Sequence, residues 1–417
     1  MSNRFLFFGC WNSGGCNPED PNPNALTRVM KHLKEFVENE DNDKPEFLIV
    51  AGDNYYPPKE KKKDEKGETE KKEKKEKKEK RKNYIEEDID SGFKCLNEIL
   101  IDKIILLGNH DVEQTIDNNK NTLGCNTINY QIEKYNNNLF NFNNFEDKLQ
   151  TKMLGDHTII IMFDSTIYDK KAEQFLECYK KINENYNDIN DFIKRQSEQR
   201  DNTIKWLQEN EQLSIKNIIF TCHHPIIELK VKKNNLEENP FYNLGEFLLP
   251  FNELSDKKFI HLCADVHLYQ SSEIIIKGED KNKEMLLKQY VVGTGGAELD
   301  NDDNTIKPER FKEFIDINNE NKYKYQLYDS IPINGFLDCK FENTEFKPTF
   351  ILTNKPISNN KSIEILPPAP QSISQVLPPA PPAPLVKNGG SKRKSKKKGK
   401  PKRKTIKRSL KSLKSVI

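Results

Sequence analysis

Nowhere in the 417 residues does an apolar run approach the ~20 residues that cross a bilayer. The longest, TIIIMF from Thr158, suits a strand. The opening MSNRFLFFGCWNSGG lacks the basic stretch and apolar core of a secretory leader. The expectation is a protein kept inside a cell, in the cytoplasm, with nuclear or virion association admitted by its tail. Eight cysteines (Cys10, Cys16, Cys95, Cys125, Cys178, Cys222, Cys263, Cys339) form no CxxC pair and no compact framework, which predicts reduced thiols. Acidic residues are missing from Lys387 onward, where 15 Lys/Arg stand alone. The formal charge of +2 therefore hides an acidic body, 52 basic against 65 acidic residues, and a strongly basic tail. Such a tail attracts nucleic acid or other anionic surfaces without sequence preference, by releasing their counterions.

What is present is a series of short apolar runs: RFLFF from Arg4, EFLIVAG from Glu46, KIILLG from Lys103, TIIIMFDS from Thr158, KNIIFTCHH from Lys216, KFIHLCADVH from Lys258 and KQYVVGTGG from Lys288. Segments with helical spacing lie between several of them, such as NALTRVMKHLKEFVE from Asn24 and QRDNTIKWLQENEQL from Gln199. Strands alternating with helices predict an α/β layered body. Residues 59–82 (EKKEKKEKKEKRK at their core) have no apolar face and read as a charged insertion, a solvated helix or disordered. The body is expected over 1–355, followed by a Pro-rich linker over 356–390 and a disordered basic tail over 391–417.

Five of the predicted strands end in residues that bind metals: Gly9-Cys10-Trp11-Asn12, Gly52-Asp53-Asn54-Tyr55-Tyr56, Gly108-Asn109-His110-Asp111, Cys222-His223-His224-Pro225 and Cys263-Ala264-Asp265-Val266-His267. Asp and Asn are common at turns, so each motif alone is weak. Delivery of carboxylate, amide and imidazole to one sheet edge by several strands is not a packing requirement. In α/β sheets that edge is where ligands sit.

The ordered set GDN, GNHD, HHP and DVH resembles the calcineurin-like metallophosphoesterases, over roughly residues 4–350, and Tyr56, three residues after Asp53, resembles their purple acid phosphatase branch. The resemblance implies a four-layer α/β/β/α sandwich and two metal ions of Fe, Zn or Mn type. Asp53 would bridge them. One metal would take Cys10, Asp53, Tyr56 and His267, and the other Asp53, Asn109, His223 and Asp265. His110 would assist the leaving group with Asp111 orienting it, while His224 and Asn109 would face the phosphate. Two cations about 3.5–4 Å apart clamp a phosphate and lower the pKa of a water between them.

Two positions depart from the family pattern: Cys10 replaces its first aspartate, and Asp265 replaces the first histidine of its Gly-His-x-His. A thiolate suits zinc better than magnesium or manganese. Asn12 is a further oxygen donor by spacing alone. The resemblance implies hydrolysis of phosphate esters, monoesters foremost, with a phosphorylated small molecule or phosphoprotein as substrate. The alternatives are a catalytically impaired binding or structural protein, favoured by the two departures, and a phosphodiesterase on the same fold.

Overall fold

The computed structural model describes residues 3–39, 43–56, 86–113, 115–116, 122–135, 147–182, 188–232, 235–278, 283–299, 313–317 and 322–353. The charged insertion, the linker and the basic tail lie outside the described residues. The chain divides between Ala369 and Pro370 into two units, and every described residue belongs to the first.

Arg4–Phe8 and Phe47–Ala51 are buried at every position. Side chains alternate across a strand, so burial at every residue means cover on both faces. These strands run parallel to each other and to Asp102–Leu106, and Gly335–Glu342 and Glu345–Leu352 complete a five-stranded sheet on the Arg4–Phe8 side. An eight-stranded sheet has its own parallel core: Thr158–Met162, Asn217–Thr221, Lys258–Cys263 and Glu284–Val292. Tyr269 stacks on Phe350 at 4.3 Å and Tyr290 meets Phe346 edge-on, so the two sheets share one apolar interior.

The helix Ala25–Glu38 begins where Asn24 accepts the Thr27 N–H, and it buries Leu26, Val29, Met30 and Leu33. Those positions recur at helical spacing and form a single stripe. The helix Ile189–Glu209 is capped by Asp188 and buries Ile204 and Leu207. With helices outside two packed sheets, the expected α/β/β/α layering is observed.

The cysteine expectation is overturned. Cys16 is bonded to Cys95 and Cys125 to Cys178, whereas Cys10, Cys222, Cys263 and Cys339 are free and buried. The pairs are 79 and 53 residues apart in sequence, so no local spacing announces them. Reduced thiols can no longer support an intracellular location. Among the described residues no helix is long and apolar enough to cross a membrane.

Candidate metal centre

The carboxyl ends of both parallel cores meet at one place, joined by main-chain hydrogen bonds. Gly9 N–H donates to the Val292 carbonyl at 2.9 Å, Cys10 N–H to Gly52 O at 3.0 Å, and Ala264 N–H to His223 O at 2.8 Å. Gly108 is required by close approach, since a Cβ there would lie 2.3 Å from Asp53 Oδ1 and 2.8 Å from the His223 ring. Cys10, Asp53 and Asp265 turn away from their strands with φ of 54°, 52° and 61°. Left-handed backbone costs an L-residue roughly 1–2 kcal/mol. That three of the predicted ligands carry this strain is the pattern seen where surrounding structure enforces a functional geometry.

Asp53 lies at the centre of this arrangement and is 1% exposed. Its Oδ2 accepts from the Tyr56 hydroxyl at 2.6 Å and lies 4.0 Å from Cys10 Sγ. Its Oδ1 accepts the His110 backbone N–H at 3.0 Å and lies 3.4 Å from His223 Nε2. On the first side, Cys10, Asp53 and His267 have donor atoms within 4.8 Å of one another, and the Tyr56 hydroxyl is 2.8 Å from His267 Nε2. On the second, His223 Nε2 is 3.0 Å from Asn109 Oδ1 and 3.7 Å from Asp265 Oδ1.

The positions of the ring hydrogens show what these groups can offer a cation. His223 Nδ1 is 2.7 Å from the Ala51 carbonyl and His267 Nδ1 is 2.6 Å from the Glu298 carbonyl. A carbonyl only accepts, so both Nδ1 atoms carry hydrogen, and it is Nε2 of each ring that faces the cluster and can offer a lone pair to an ion. His223 Nε2 then faces three oxygens of Asp53, Asn109 and Asp265 with no hydrogen to share. On the other side the Tyr56 proton lies between Asp53 and His267, and the Cys10 thiol faces the same Asp53 oxygen. Acceptors converging with too few protons to share suit a positive ion, and carbonyl-anchored imidazoles are the usual outer support of such a site.

Without a metal, a proton takes its place. Burial alone would lower the pKa of His223, but the Asp53 carboxylate outweighs it and pushes His223 up to about 9. Asp53 is held well below the usual carboxylate range, against burial, by His223 and then His110. The attraction between His223 and Asp53 is a single interaction felt by both groups. The raised histidine stabilises the fold fully below its unfolded pKa near 6.5, and the contribution is lost as pH rises through about 9. Chelated, metal-free protein is therefore expected to lose about 1–3 kcal/mol of stability between pH 6.5 and 9. Metal-loaded protein should lose less, because the ion has displaced that proton. Thermal melts across this range with and without metal check both signs.

Burial, then the Asp53 charge, raise the Cys10 thiol, and the same two causes raise the Tyr56 phenol. Both therefore keep their protons until a cation displaces them. Asn12 is not part of the site: its amide nitrogen turns to the Ile89 carbonyl at 3.4 Å, against the helix over 86–97.

The expected tie between Asp111 and His110 is also corrected. Asp111 is fully buried and accepts from Gly108 N–H (2.8 Å), Asn54 N–H (3.0 Å), Asn54 Nδ2 (3.1 Å) and Gln131 Nε2 (2.9 Å). Burial and the Asp53 charge push its pKa up to about 7, and those donors favour the charged form against that. Asp111 thus braces the turn, and Glu113 Oε2 accepts from His110 Nδ1 at 2.9 Å. Burial would lower the pKa of His110, but Asp53 and Glu113 push it up to about 9.

His224 is buried, with Nδ1 3.1 Å from Ser165 Oγ, Nε2 3.3 Å from Asp169 Oδ2 and its ring against Phe241. Its donor atom falls in one cluster with those of His223 and Asp265. Ser165 also accepts the backbone N–H groups of His223 and His224 at 3.1 and 2.9 Å. Sequence reasoning missed Ser165, Asp169 and Glu113. The first two follow the strand Thr158–Met162, whose end matched no motif, and Glu113 stands three residues beyond His110 at helical spacing.

The family model of calcineurin-like phosphoesterases matches residues 3–269. No curated protein sequence matches the chain significantly. Solved structures with similar chain traces include GAP50, the anchor in the inner membrane complex of Plasmodium, at 14% identity over 84% of this chain and 85% of that chain, TM-score 0.41. Purple acid phosphatase PPD1 from yellow lupin (Lupinus luteus) seeds aligns at 13% identity over 85% of this chain and 52% of its own, TM-score 0.46. PhoD aligns at 12% identity over 85% and 67%, TM-score 0.44. This chain thus spans about half the length of the lupin enzyme. The family match covers more than half of the sequence and contains all ten predicted site residues, and on that ground the chain belongs to the calcineurin-like phosphoesterases.

Proposed function

We propose that this protein hydrolyses phosphate esters, monoesters foremost, with two metal ions held by its strand-end residues. Members of the family bind two metals, and the observation that carries the reading here is Asp53, whose two carboxylate oxygens face two different donor sets. Cys10, Asp53, Tyr56 and His267 would hold one ion, and Asp53, Asn109, His223 and Asp265 the other. When bound, such ions neutralise phosphate charge and make water acidic enough to attack at mild pH. The chain's own residues supply position. Asn109 and His110 begin a short helix at the Asp53 turn, which brings an amide oxygen and a protonated imidazole to the same edge. His110 gives its proton to the departing oxygen, a contribution of about 10²- to 10⁴-fold in rate.

One observation favours a second reading. Cys10 stands where the family pattern has an aspartate, so the first donor set has one carboxylate fewer to hold an ion. A chain with only its second site filled would act as a phosphate-binding protein. Protein purified without chelator is expected to contain two transition-metal ions per chain and to turn over a chromogenic phosphomonoester. One metal with no turnover supports the binding protein instead, and metal-free, inert protein removes both readings.

A further inference from the structure

We propose that Glu113 is the positioning residue for His110, holding its imidazole with Nδ1–H committed to the Glu113 carboxylate and Nε2 left for the substrate. The proposal rests on the phosphoesterase reading for its consequence, but not for its geometry. Asp111 is nearer in sequence, yet its carboxylate accepts four N–H groups of the surrounding turn and is fully buried. Glu113 follows the short helix Asn109–Val112 and leaves it with extended backbone, φ −65° and ψ 141°. Its own N–H donates to the Asn109 carbonyl at 2.9 Å, which ties the positioning residue to a proposed metal ligand. Residues three apart on a helix share a face, and Glu113 Oε2 thus reaches His110 Nδ1 at 2.9 Å.

The other restraints on His110 act elsewhere on the residue. Its backbone N–H donates to Asp53 Oδ1 at 3.0 Å, which fixes the main chain, and the Tyr56 ring lies 4.9 Å from the imidazole at a tilt of 56°. Tyr56 limits where the ring plane can go. Among the described contacts Glu113 alone decides which nitrogen points outward. A carboxylate acceptor at Nδ1 has that consequence for any imidazole, since the hydrogen it holds there leaves the other nitrogen to face the reacting atoms. The proton on Nε2 then passes to the departing oxygen as its bond to phosphorus breaks.

Both side chains are about one-third exposed, and Glu113 is not one of the buried residues, so its substitution opens no cavity in the core. In full-length protein labelled with 15N-histidine, the His110 signals are identified by their absence in His110→Gln. Wild type is expected to show an Hδ1 proton on His110, slowed in exchange by its hydrogen bond. Glu113→Ala should lose that signal, and Glu113→Gln, whose amide oxygen still accepts, should keep it. In the same proteins kcat for an alkyl phosphate should fall about tenfold or more in Glu113→Ala with KM nearly unchanged, because a misplaced acid acts only in the transition state. The loss should be smaller for nitrophenyl phosphate, whose leaving group needs no proton, and Glu113→Gln should recover part of the rate. An unchanged Hδ1 signal in Glu113→Ala, or equal losses on both esters, overturns the proposal. If wild type hydrolyses neither ester, the phosphoesterase reading fails, and the Hδ1 comparison still decides whether Glu113 sets the ring.

Discussion

Asp53→Asn is expected to strip both metal positions together and to lower phosphoester turnover by about 10³-fold, because one substitution removes the charge shared by two cations and the field that stabilises transferring phosphate. The substitution is sterically mild. Asparagine tolerates left-handed backbone better than most residues, so the turn at φ 52° should persist. In metal-free protein His223 loses the carboxylate that does most to raise its pKa, and its titration should fall toward the ordinary range, since burial is then opposed only by Asp265 and the Ala51 carbonyl. Breaking a buried charge pair costs about 3–5 kcal/mol when the remaining partner stays charged, and His223 avoids most of that by shedding its proton. The decisive measurements are metal content per chain and turnover. A variant that keeps two metals and its rate would show that Asp53 is no bridge.

The second large effect concerns Cys10, which stands where the resemblance expects an aspartate. Its thiol is buried 4.0 Å from Asp53 Oδ2, among the donors of Tyr56 and His267. Sulfur, imidazole and oxygen donors together favour zinc over hard divalent ions. Wild type is expected to bind zinc at this position more tightly than manganese. Cys10→Asp should reverse that order and extend activity to manganese or iron. Cys10→Ser should weaken the first ion by more than about tenfold, since losing a direct ligand costs at least what losing an outer partner does, and leave the second in place. Aspartate is also the replacement best suited to the backbone, where φ is 54°. Metal titrations on the three proteins decide the matter. Equal affinities throughout would mean that Cys10 is a packed strand-end residue and that the first ion, if bound, is held by Asp53, Tyr56 and His267.

The layered class, the strand positions and the convergence of the strand-end residues were legible because they depend on local pattern. Phe47–Ala51 reads as a doubly covered strand from its composition alone, and the following Gly52-Asp53 reads as its end because the apolar run stops there. The grouping of Cys10, Asp53, Asn109, His223, Asp265 and His267 was legible for a related reason. A parallel strand has a direction, so residues just past the carboxyl ends of parallel neighbours fall on one edge. Tertiary structure decided what depends on distance between segments far apart in sequence. The Cys16–Cys95 and Cys125–Cys178 bonds each join a loop to a helix far away in sequence, and no spacing rule contains that approach. Ser165 and Asp169 meet His224 only because their strand lies beside Asn217–Thr221 in the eight-stranded sheet. The choice between Asp111 and Glu113 as partner of His110 was closest to the sequence and still escaped it. Both carboxylates lie within three residues of the ring, and only the folded turn, which directs Gly108, Asn54 and Gln131 at Asp111, leaves Glu113 for the histidine.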